Sequence, residues 1–141
     1  MRPAALHPRR SDWPERLAAL VEARRHVPFT WGAHDCAMFA ADAVLAQTDR
    51  DFLARWRGAY ATEDQGEAIT GGAFGTFMAA ALAAFGAAEC PTGLAQRGDV
   101  ALVRYGNTQS LGVVLGGSVA VPGLSRLSFL PAGTIERVWV V

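Results

Sequence analysis

The sequence predicts an α+β domain in which helices come first and an antiparallel sheet follows. Up to about Ala88, apolar residues recur at helical spacing, three and four apart. After Pro91 the chain turns to short apolar runs punctuated by Gly, Pro and Asn. No repeat or linker interrupts the 141 residues, so residues 1–141 read as one domain with its helices packed on one side of the sheet.

Composition narrows the class further. At 51% hydrophobic and 18% charged residues the chain is globular and long enough to bury a core. A formal net charge of zero argues against nucleic acid or an anionic membrane surface as a partner. The doublets Arg9-Arg10 and Arg24-Arg25 read as a solvated face. Two cysteines, Cys36 and Cys90, are too few for a disulfide framework, and no C-x-x-C pair occurs. His26, His34, Cys36 and Cys90 lack zinc-ligand spacing, so neither a metal nor a cofactor is implied. Residues 1–10 have no apolar core of the signal-peptide type, so no secretory signal is expected.

In order, residues 1–11 read as an irregular arm. Ser11-Asp12-Trp13-Pro14 starts a helix that runs to about Arg25 and buries Leu17, Leu20 and Val21. Pro28 biases Val27 towards an extended lead-in. A second helix runs from Asp35 to near Thr48-Asp49, and a short one from Asp51 ends at Gly58. Thr62 to Glu67 is a capped turn of helix with an acidic start. Residues 69–88 carry no charge, but Phe74, Phe77, Met78, Leu82 and Phe85 form one stripe flanked by alanines. That pattern is a buried helix rather than a membrane span. The strands expected are Val100–Val103, Leu111–Leu115, Val119–Val121, Leu127–Leu130 and Ile135–Val141, a meander of four or five.

The residues most able to do chemistry are in Trp31-Gly32-Ala33-His34-Asp35-Cys36. Asp35 is a good N-cap, able to accept from the free N–H of Ala37 or Met38. Cys36 then falls in the first turn, where the helix dipole favours the nucleophilic thiolate. Cys36 also shares the apolar stripe of Phe39, Ala40, Ala43 and Val44, so packing is the competing account.

Together these segments resemble the NlpC-type cell-wall peptidases, a papain-like group that cleaves peptidoglycan stem peptides. The resemblance is carried by Trp31-Gly32, Asp35-Cys36 and Phe39, then Arg97-Gly98-Asp99-Val100, then Leu111-Gly112-Val113-Val114-Leu115-Gly116. It extends over roughly residues 28–121 and is nearest to a small branch found among phage tail genes, which Arg57-Gly58-Ala59-Tyr60 also fits. It implies a papain-like fold with Cys36 as nucleophile. It also implies synthesis in the host cytoplasm, a place in the virion tail, and other tail proteins and peptidoglycan as partners.

In that family a histidine opening the Gly-Val strand is the general base for the cysteine. Here Ser110 stands at that position, and all three histidines, His7, His26 and His34, precede Cys36. A serine hydroxyl does not take up a proton near neutral pH. His34, two residues before Cys36, is the one substitute nearby in sequence. The expectation is therefore a tail structural or assembly component with a degenerate dyad. The alternative is a working peptidoglycan cysteine peptidase that uses His34 or a base from a partner chain.

Overall fold

The computed structural model describes all 141 residues. Helix α1 (Trp13–Arg24) has Pro14 in its first turn, where a missing N–H costs nothing, and Glu15 near the positive end of its dipole. It buries Leu17 and Val21, while Leu20 at the flank is only half-buried. Helix α2 (Cys36–Thr48) buries nine of its 13 residues. A helix so largely buried must be central, and α2 lies between α1 and the sheet, with Phe39 and Val44 fully buried.

The segment after α2 departs from expectation. Instead of a short α-helix to Gly58, there is a single 3-10 turn at Ala54–Trp56. Asp51 takes over the local bonding, accepting from the Leu53 N–H at 2.9 Å and from the Arg57 guanidinium, and so favours a turn over a helix. The capped turn at Thr62 extends to a full helix, α3 (Glu63–Thr70). Thr62 accepts from the Gln65 N–H and Gln65 reaches back to the Ala61 N–H, a reciprocal cap.

The uncharged run breaks at Gly71 and Gly72, both at positive φ, and resumes as α4 (Phe74–Phe85) at 64° to α3. Met78 and Leu82 are buried, and Phe74, Phe77 and Phe85 are half-buried. No single helix is long and apolar enough to cross a membrane.

The sheet has six strands rather than four or five: β1 (Ala88–Cys90), β2 (Val100–Tyr105), β3 (Thr108–Val114), β4 (Ser118–Pro122), β5 (Leu127–Pro131) and β6 (Ile135–Val140). Their order is β1-β6-β2-β3-β4-β5, with every neighbouring pair antiparallel. The simple meander is therefore corrected twice. Strand β1 is three residues long, too short to show an alternating pattern, and β6 crosses back to lie between β1 and β2. The reason is burial: Val138, Trp139 and Val140 are all buried and need an interior position, whereas β5 alternates and suits an edge.

Residues 1–11 form no helix or strand, yet they are tied down. Arg2 and Arg9 both reach the fully buried Asp99 carboxylate, at 2.7 and 3.1 Å, and the Leu6 N–H donates to Gly86 at 2.9 Å. The arginine doublets are likewise more than a solvated face, since Arg10 pairs with Asp12 and Asp49, and Arg24 with Asp42.

Candidate functional site

The lead-in to α2 is closed by two backbone bonds between Thr30 and His34, at 3.1 and 2.8 Å. Gly32, at φ 80°, lies so close to the Tyr60 carbonyl that any Cβ there would collide with it. Asp35, 2% exposed, is the N-cap: its Oδ1 accepts from the Met38 N–H at 2.8 Å. Its Oδ2 accepts from the Gly32 N–H at 2.8 Å and the Tyr60 hydroxyl at 2.5 Å. One carboxylate thus joins the lead-in loop, the helix start and a segment 25 residues further on. Sequence reasoning found the cap but gave Tyr60 no role. Its only signal was the resemblance carried by Arg57-Gly58-Ala59-Tyr60.

Cys36 opens α2, half-buried, on a cleft of about 840 Å³. Burial pushes its thiol up to about 11, and the Asp35 charge adds to the rise. The Leu111 N–H, the Ser110 hydroxyl and the Ala37 N–H pull the other way, but burial dominates. Burial thus works against the thiolate that the helix dipole favours. The Tyr60 phenol is raised too, by burial first and then by Asp35 and the neighbouring sulfur.

Ser110 is the half-buried third residue of β3, opposite Val103, and lines the same cleft as Cys36. The next residue, Leu111, turns into the core formed with Ala37, Met38 and Val44 of α2. Strand alternation therefore delivers Ser110 to the cleft and Leu111 to the helix.

His34 is held elsewhere. It is 3% exposed, and the Arg24 guanidinium donates to its Nδ1 at 3.0 Å. Arginine can only donate, so Nδ1 is the acceptor and Nε2 carries the proton, buried and without a partner. Burial, and then the Arg24 charge, lower its pKa, so the ring is neutral. A base needs a free lone pair, and this one is occupied, so the His34–Cys36 dyad does not form. His7 packs on Phe85 at 4.8 Å in the arm, and neither it nor His26 lines the cleft.

Three walls enclose the cleft. Helices α3 and α4 supply Glu63, Glu67, Phe74 and Phe77, the β2–β3 hairpin supplies Gln109, and the β4–β5 turn supplies Leu124 and Arg126. The turn is fixed by the Phe29 N–H, which donates to the Leu124 carbonyl at 3.1 Å, and by Tyr105 and Ser128, whose hydroxyls are 2.8 Å apart. No group of three or more His, Cys, Asp or Glu side chains is placed to hold a metal ion.

By fold and site, this is an α+β domain with a cysteine at the start of its central helix, facing an open cleft beside the sheet. The chain belongs to the family described as a domain of unknown function, DUF6950, whose sequence model matches residues 8–141. No curated protein and no solved structure matches it.

Proposed function

We propose that this chain is a papain-like, NlpC-type domain of a phage tail, derived from a peptidoglycan peptidase and retained as a structural or assembly component without hydrolysis. One observation carries the reading: the residue that shares the cleft with Cys36 at the position where the resembling peptidases have a histidine is Ser110, and no histidine lines that cleft. Burial pushes the thiol up to about 11, against the thiolate that an attacking cysteine needs. No imidazole lines the cleft to protonate a leaving amine. The place in a phage tail rests on the resemblance.

The test is incubation of the purified protein with peptidoglycan sacculi, with release of stem peptides read by mass spectrometry. The expected release equals that of the Cys36→Ala variant. Release that vanishes in that variant overturns the proposal.

A second reading is an active cysteine peptidase that cleaves peptidoglycan peptides during phage entry. The open cleft over Cys36 favours it, because it leaves room for a base from a partner chain. His34 is not that base, with its Nδ1 engaged by Arg24.

A further inference from the structure

We propose that the Cys36 cleft is a docking groove for an extended cationic segment of a partner protein, seated with its positive charges on Glu63 and Glu67 and an apolar side chain beneath them. This deepens the non-hydrolytic reading by naming what the cleft holds. The first argument is charge. Eight of the chain's 13 acidic residues are in ion pairs, and Asp35 is fully hydrogen-bonded. Of the four that remain, three are on α3: Glu63, Asp64 and Glu67. Glu63 and Glu67 are one turn apart, face the cleft together, and repel each other there. Arg126, on the opposite rim, makes no ion pair with either of them or with any other carboxylate. The charge on that wall is therefore unanswered within the chain.

The second argument is shape and polarity. The stripe Glu63, Gly66, Glu67 and Thr70 forms one side of α3, and all four residues line the cleft. Lower on the same wall are Trp56, Ile69, Phe74 and Phe77, all half-buried, with Trp56 and Phe77 edge to face at 5.1 Å. An acidic lip over an aromatic socket fits a Lys or Arg next to a Leu or similar side chain. A volume of about 840 Å³ accommodates several residues of extended chain. An anionic ligand such as nucleic acid or a lipid headgroup would meet the carboxylates first. The chain's own basic arm is not the occupant, because Asp99 already holds its Arg2 and Arg9.

The probes are two fluorescein-labelled peptides, acetylated and amidated at their ends, with Leu-Lys-Leu-Lys or Leu-Glu-Leu-Glu cores. Binding to the full chain is followed by fluorescence anisotropy at low and high salt. The Lys peptide is expected to bind, and to bind more weakly as salt rises. Glu63→Gln and Glu67→Gln are each expected to weaken it by about two- to five-fold, and Arg126→Gln to strengthen it. All three side chains are exposed, so folding is not at risk, and thermal melts confirm it. Equal affinity for both peptides, no binding of the Lys peptide, or no effect of the Glu changes overturns the proposal. Cleavage of the bound Lys peptide would end the non-hydrolytic reading while supporting the docking groove; binding without cleavage supports both.

Discussion

Asp35 has more partners than any other side chain at the cleft, and removing it would leave three donors unanswered. Loss of the cap alone costs about 1 kcal/mol, and the abandoned Gly32 and Tyr60 donors raise the total for Asp35→Ala to roughly 2–4 kcal/mol. Urea unfolding of the variant measures it, and Tyr60→Phe is expected to cost about 1 kcal/mol. At Cys36, a thiol raised to about 11 against an ordinary 9.0 predicts that alkylation accelerates only as pH approaches 11. The sign for stability follows: the unfolded thiol ionises first, so stability falls as pH rises from about 9 to 11, and Cys36→Ala removes the Cys36 share of that fall, with Cys90, also raised by burial, still contributing.

His34 behaves oppositely. Its folded pKa is lowered, so the unfolded chain binds the proton first, and stability falls as pH drops below about 6.5. In His34→Gln that component of the acid loss is expected to disappear, read as melting temperature against pH.

At the scale of elements, the arm and the turn before β2 form one unit. Asp99 is fully buried and accepts from Arg2, Arg9 and the Gln96 N–H. Gly98, at φ 95°, lets the chain turn so that this carboxylate points inward. Asp99→Asn removes the charge that both guanidiniums answer, at a cost of about 2–4 kcal/mol, since the arginines keep partial contact with water. The arm is then expected to lift, and trypsin to cut after Arg9 or Arg10 before it reaches the body of the domain. Equal cutting rates for variant and parent would mean that the arm is held by Leu6 and His7 instead.

At the scale of the whole molecule, the cleft exists because α2, β3 and the β4–β5 turn converge on it from distant parts of the chain. Restoring one residue tests whether that assembly is still catalytic. Ser110→His is expected to fold, because the position is half-buried beside open space, and to lower the Cys36 pKa through an imidazolium partner. Hydrolysis is not expected to return. Strand β4 offers Val119, Ala120 and Val121 beside β3, none able to orient the new ring. An unchanged alkylation profile in a folded variant would mean that the new side chain does not reach the sulfur.

Local chemistry made much of this legible from the residues alone. The cap at Asp35, the apolar stripe of α2, the aromatic stripe of α4 and the strands from Val100 onwards all follow from periodicity and capping, which act within a few residues. The short β1 and the return of β6 were not legible, because a three-residue strand has no period and pairing partners are chosen by burial across the whole sheet. The same holds at the cleft. Sequence placed Cys36 at a helix start and Ser110 at the head of its strand. Only the tertiary structure decided that burial outweighs the dipole at the sulfur, that Arg24 takes the His34 lone pair, and that Tyr60 bonds to Asp35. Desolvation and long-range hydrogen bonds depend on what surrounds a group in space, and no spacing along a chain encodes that directly.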